Sequence, residues 1–316
     1  MRGRLFIALL GVCAGLCGAV QAQTFPDRAI QLIVPFSPGT SPDIVARGLA
    51  ERLTESLGQP VLTVDREGAS GSIGYATVAA AAPDGYTLAF GPQGPLTVLP
   101  TARAHSSYTL DSFAPVCQVF EDIFALFVGP NSTIANFNDL VSKAKARPLS
   151  LTFGSPGIAT VPHLQVESLQ LAAGVRMNHA PYRSVAQMIQ DVVGGNVDLA
   201  VGSVASMRTS NARILAILKS TPSNLFPDAP VIGQFGYTVS QTSLGGLFAP
   251  AATPADVRAR LEKGCADAFA NPAFQRLESD AGISPVYLNA SEFGKRLASD
   301  RQDKAALIKT LGITLE

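Results

Sequence analysis

Ile33-Val34-Pro35-Phe36-Ser37-Pro38-Gly39-Thr40-Ser41-Pro42-Asp43, running on into Ile44-Val45-Ala46-Arg47-Gly48-Leu49-Ala50-Glu51-Arg52-Leu53, is the stretch on which the fold turns. The apolar run 30–34, broken only by Gln31, predicts a short strand, which Pro35, Pro38 and Gly39 end. A helix follows at once. Thr40 or Ser41 suits its N-cap, Pro42 its first position and Asp43 its first turn. Ile44, Val45, Leu49 and Leu53 recur at helical spacing, with Arg47, Glu51 and Arg52 toward water. Such a loop exposes backbone N–H groups and the positive end of a helix dipole, a setting for a carboxylate or phosphate. Taken singly, it is also what any strand-to-helix connection looks like.

The device recurs. Ser150-Leu151-Thr152-Phe153-Gly154-Ser155-Pro156-Gly157-Ile158-Ala159-Thr160-Val161-Pro162-His163 again gives a strand, a small-residue loop, a candidate cap at Thr160 and a proline near a helix start, with an amphipathic helix over 164–173. Between the two, Val61-Leu62-Thr63-Val64 reads as a strand and Asp65 to Gly74 as a flexible loop. Gly68, Gly71 and Gly74 do not form GxGxxG; tight turns and close helix packing account for them. Ala82-Pro83-Asp84-Gly85-Tyr86-Thr87-Leu88-Ala89-Phe90-Gly91 is a turn and a strand whose end, Gly91-Pro92-Gln93-Gly94, is another small loop. This strand and helix rhythm predicts a right-handed, mainly parallel α/β sheet with ligands beyond its strands' C-terminal ends.

Several of these stretches, in this order, resemble the Bug receptors, the TctC-type extracytoplasmic solute-binding proteins of tripartite tricarboxylate transport. The resemblance is carried by Pro35 to Asp43, Pro83-Asp84-Gly85-Tyr86-Thr87, Ala180-Pro181-Tyr182-Arg183-Ser184, Phe226-Pro227-Asp228-Ala229-Pro230 and Gly245-Gly246-Leu247-Phe248-Ala249-Pro250, and spans essentially the whole mature chain. Departures are Thr40 where the family has a second glycine, Glu67 and Ser70 in the loop after the second strand, and Arg183 with Ser184. The resemblance implies a type II periplasmic-binding-protein-like clamshell, two α/β domains joined by two crossover segments. The expected division is domain I at 23–122 and 222–316, and domain II at 123–221. Further helices are expected over 136–147, 185–193, 255–270 and 291–310, the last two closing the chain.

It also implies a function: capture of a small carboxylic acid or acidic amino acid between two lobes, largely by main-chain amides, for delivery to a membrane permease or signalling to a sensor kinase. The facing loops put Ser37, Gly39, Thr40 and Ser41 on one side and Ser155, Gly157 and Thr160 on the other. Phe36, Gly91, Gly154, Gly202 and Ser203, at the same strand ends, complete the candidate ligand-binding set with three side chains. His163 offers a hydrogen bond or simply packs on its own loop; Arg183 is an anion clamp or a solvated surface residue; Asp43 meets a ligand amine or serves its helix turn.

Composition bounds the alternatives. Lys and Arg number 24 and so do Asp and Glu, with no basic stripe, which argues against nucleic acid or an anionic membrane as partner. Met-Arg-Gly-Arg, an apolar run over 5–20 and Val20-Gln21-Ala22 form an export signal, so a periplasmic location with cleavage after Ala22 is expected. Val12 and Leu16 precede Cys13 and Cys17 where a lipid-anchoring motif needs a small residue. Cys117 and Cys265 are left in the mature chain; an oxidising compartment permits their pairing, which spacing alone leaves open. His105, His163 and His179 have no metal-ligand spacing, and GxSxG, HExxH and phosphate-loop motifs are missing. No enzyme activity, cofactor or metal is expected, and a monomer is the expected state. The competing class is an exported α/β hydrolase with Ser155 or His163 at its centre.

Overall fold

The computed structural model describes residues 25–102, 106–208, 210–239 and 243–313, so the expected signal and its cleavage point lie outside the described residues. The chain opens with β1 (Ile30–Val34), α1 (Ser41–Leu57), β2 (Val61–Asp65), α2 (Ser72–Ala79), β3 (Thr87–Pro92), the short α3 (Gly94–Thr97) and α4 (Leu99–Ala102), and β4 (Phe113–Asp122). A second group follows: β5 (Phe124–Val128), α5 (Phe137–Ala146), β6 (Thr152–Ser155), α6 (Val161–Ala173), β7 (Asn178–Pro181), α7 (Val185–Gly194), β8 (Leu199–Ser203), α8 (Val204–Met207) and β9 (Arg213–Ile217). The chain closes with β10 (Ser243–Pro250), α9 (Ala255–Ala270), α10 (Pro272–Asp280), β11 (Ser284–Asn289) and α11 (Ala290–Leu311).

Two sheets result, ordered β11-β4-β10-β3-β1-β2 and β7-β6-β8-β5-β9. They share one plan. In each, three consecutive strands pair in parallel (β1 with β2 and β3; β6 with β7 and β8). The strand that arrives from the other lobe lies antiparallel beside them, β10 between β3 and β4 and β5 between β8 and β9. The sheets are therefore mixed rather than mainly parallel, because a strand entering from the opposite lobe meets its neighbours head to tail. Ile123 alone separates β4 from β5, so the first crossing spans one residue.

Burial sets each element. In α1, Val45, Leu49 and Leu53 are fully buried against β1 and β3 residues such as Leu32 and Leu88, each contributing about 1.5–3 kcal/mol of apolar burial. In the second lobe Leu126, Phe137, Phe153 and Val201 form the equivalent core. Ile232 and Val239 join that second core although they follow β9, and Leu225 and Phe226 pack against its other face. A small cluster bridges the lobes: Val98 and Leu99 from one, Ala159 and Leu164 from the other, closed by Ile308 of α11.

Three local expectations change. Pro42 occupies the second helical position rather than the first, with Thr40 as N-cap. The closing segment contains a third helix, α10, and an edge strand, β11, beyond the two helices expected. Cys117 of β4 and Cys265 of α9 are disulfide-bonded, with Cα atoms 6.6 Å apart, which ties the sheet to the helix covering it.

Candidate functional site

The two repeated loops have the same internal wiring. Thr40 and Thr160 are N-caps whose hydroxyls donate to a carbonyl three residues back, Ser37 at 2.7 Å and Gly157 at 2.8 Å, rather than capping their own helices. One residue earlier, the backbone N–H is accepted by the side chain at the third helical position. Gly39 donates to Asp43 Oδ2 at 2.8 Å, and Ala159 donates to His163 Nδ1 at 3.1 Å. Asp43 also meets Arg47 Nε at 2.7 Å. Both candidate side chains are thus engaged in shaping their loops, and both are buried. A proline at the second position of each helix lacks an N–H, and the remaining first-turn amides have no acceptor within the helix.

The helix starts converge on a cleft between the lobes. Its inner cavity, about 80 Å³, is lined from the first lobe by Phe36, Thr40, Ser41, Pro42, Ser70, Pro92 and Pro95, and from the second by Phe124, Pro156, Thr160, Val161, Pro162, Gly202 and Ser203. An outer cavity of about 490 Å³ adjoins it and adds Ser37, Glu67, Gly157, Tyr182 and Arg183. Phe36, Ser37, Thr40, Ser41, Gly157, Thr160, Arg183, Gly202 and Ser203 of the expected set therefore come together.

Gly39, Asp43, Gly91, Gly154, Ser155 and His163 line neither cavity. Gly91 faces Pro35 and the Tyr75 hydroxyl, and Gly154 faces Tyr182 and Met188; a Cβ at either would meet a neighbour within 3.1 Å. Ser155 is fully buried, paired through Oγ with His179 Nε2 at 2.7 Å. His179 stacks with both Phe153 and His163, with ring centroids 4.8 Å and 4.0 Å away. Burial, then the neighbouring His163, pushes its pKa down to about 3, so its imidazole is neutral. This serine and histidine pair lies behind the cleft wall, so neither Ser155 nor His163, the residues of the hydrolase reading, lines the cavity.

Asp122 is the residue that motif reading passed over. It ends β4, lines the inner cavity, and through Oδ1 accepts hydrogen bonds from Ser203 at 2.6 Å and Ser41 at 3.0 Å. No motif surrounds it; the signal available was an acidic residue at a strand's end beside a predicted crossing. Ser70, Pro92, Pro95 and Tyr182 were also passed over, since prolines and lone hydroxyls carry no recognisable spacing.

The family model described as the tripartite tricarboxylate transporter family receptor, TctC, matches residues 45–313. The chain belongs to this receptor family. Protein BugT of Bordetella pertussis is 32% identical over 320 residues, covering 98% of each chain. Among solved structures, the periplasmic binding protein BugD is 26% identical with a TM-score of 0.84, over 92% of this chain and 100% of that one. An R. palustris protein solved with adipate is 26% identical with a TM-score of 0.86, over 92% and 99%. The two-lobed α/β fold expected from the sequence is that of these binding proteins, and TctC proteins are periplasmic receptors, not enzymes.

Proposed function

We propose that this chain captures a small carboxylate in the cleft between its lobes and delivers it to the membrane permease of a tripartite tricarboxylate-type transporter. The observation that carries the reading is the pair of identically wired helix N-termini, at Thr40 and Thr160, that border one cavity from opposite lobes. First-turn amides and aligned helix dipoles stabilise an anion without a dedicated cation. The adipate held by the R. palustris relative supports the ligand class.

In this reading Ser37, Thr40, Ser41, Gly157, Thr160, Gly202 and Ser203 contact the ligand, and Arg183 sits at the entrance. The lobes of this reading are those expected from the sequence, 23–122 with 222–316, and 123–221, and the packing of Ile232 and Val239 in the second core supports a return later than residue 222. The mature protein is exported, begins after Ala22, and works as a monomer.

A thermal-shift screen of mono-, di- and tricarboxylates and amino acids tests the function. A ligand at 100 times its Kd stabilises the folded state by about 2.7 kcal/mol, a plainly visible shift. The effect is expected to vanish when Thr160 is replaced by Trp. Absence of any stabilising acid, with no acid found by native mass spectrometry of the purified protein, rejects the reading.

A further inference from the structure

Among the described residues the inner cavity contains one ionisable side chain, Asp122, with mostly apolar neighbours such as Phe36, Pro95, Leu99 and Phe124. Among the described residues no lysine, arginine or histidine lines that cavity. Arg183 borders only the outer cavity, and Lys219 a separate one beside the crossing, which Asp122 and Glu121 also border. Glu121 itself is ion-paired with Arg296.

The proton count is the deciding quantity. Ser41 and Ser203 together supply two hydroxyl protons and the Ile123 backbone N–H a third, while an ionised carboxylate offers about four acceptor sites and the two hydroxyl oxygens offer more. Their oxygens are 2.6 Å apart, so any proton shared between them is withheld from the carboxylate. Burial raises the Asp122 pKa to about 6 while the Ser203 and Ser41 hydroxyls pull it down, so the group is largely ionised at neutral pH. The cluster is acceptor-rich and negatively charged, and faces the ligand space.

We propose that Asp122, with Ser41 and Ser203, is a specificity-determining subsite that takes an ammonium group, so that the receptor selects amine-bearing carboxylates over dicarboxylates of equal length. The ligand's carboxylate lies at the helix N-termini and its ammonium group donates to Asp122. This rests on the carboxylate-receptor reading and narrows it. A fully ionised dicarboxylate offers the cluster no proton and places like charges together in a poorly solvated space, which is unfavourable.

The test is isothermal titration of the mature protein at pH 7.5 with matched ligands: 4-aminobutanoate against glutarate, 5-aminopentanoate against adipate, and glutamate against glutarate. At least one amine-bearing member is expected to bind at least about tenfold more tightly than its partner, the scale of a desolvated charge pair. Asp122→Asn, which keeps the side chain's size, is expected to abolish that preference while leaving dicarboxylate binding equal or tighter. Dicarboxylates that bind the wild type as tightly as their amine-bearing partners in every pair overturn the proposal and leave the receptor reading standing. An unchanged preference in Asp122→Asn overturns it as well. Should that variant not fold, the wild-type comparison decides alone, and binding of neither class overturns the proposal, the receptor reading being tested by the wider acid screen.

Discussion

Ser41 and Ser203 lie 162 residues apart in the chain and in different lobes, yet their hydroxyl oxygens are 2.6 Å apart. One stands at the first position of α1 and the other at the end of β8, so their contact exists only when the lobes are together. Ligand contacts to both lobes favour such a closed state in proportion to their differential affinity.

Replacing Ser203 with Phe drives a ring into this junction. The expected outcome is a larger radius of gyration in solution scattering that added ligand no longer reduces, together with weakened binding. Ser203→Ala leaves room for closure and is expected to cost about 1.5–3 kcal/mol, the scale of its hydrogen bond to the ionised Asp122. Equal compaction of both variants by ligand rejects a closure role for the contact.

Glu278 of α10 is fully buried, and neither carboxyl oxygen has a hydrogen-bond partner among the described residues. Burial pushes its pKa from 4.5 up to about 9. A carboxyl whose folded pKa exceeds its unfolded one costs nothing at acidic pH; the cost grows as pH rises above 4.5 and levels off above 9. At pH 7 the penalty is on the order of 3 kcal/mol. Thermal unfolding followed from pH 5 to pH 9 should therefore show falling stability in the wild type and a flatter profile in Glu278→Gln, with a higher Tm at pH 8. Parallel profiles would remove Glu278 as the cause.

The disulfide between Cys117 and Cys265 closes a loop of 148 residues, and both cysteines are fully buried. Cross-links of this kind typically contribute about 2–4 kcal/mol, largely by restricting the unfolded chain. The Cys117→Ala, Cys265→Ala double variant is expected to lose that much in denaturant unfolding while keeping the same circular dichroism spectrum. A loss below about 1 kcal/mol would show that the packing of α9 on β4 suffices without the bond.

Gly74, in the first turn of α2, leaves no room for a side chain: a Cβ would lie 2.7 Å from Pro35 Cβ and 2.9 Å from the Arg66 carbonyl oxygen. Its obstacle is backbone, which cannot swing aside as a flexible side chain can. Gly74→Ala is expected to destabilise by about 1–3 kcal/mol through overpacking. Urea unfolding measures it, and a neutral result would mean that α2 shifts freely on the sheet.

Much of the fold is legible residue by residue. The strand at Ile30–Val34, the helix starts after Thr40 and Thr160, and helix α9 at Ala255–Ala270 follow from apolar period, proline and cap signals spanning a few residues. β11 escaped notice because Ser284-Pro285-Val286-Tyr287-Leu288-Asn289 is an irregular edge strand, half-buried throughout and without alternation. α10 carried a usable signal, Asn271 before Pro272 at a helix start, which its strongly charged sequence obscured.

The site divides along the same line. By itself the sequence determined the two helix starts and their loops, because capping, turns and proline placement are settled by contacts within about four residues. Only the tertiary structure decided that His163 and Ser155 lie behind the wall, that Cys117 meets Cys265, and that Asp122 gathers Ser41 and Ser203, each 81 residues away, around one cavity. Burial and the meeting of distant groups depend on how lobes and sheets pack in three dimensions, and no local period in the chain encodes that distance.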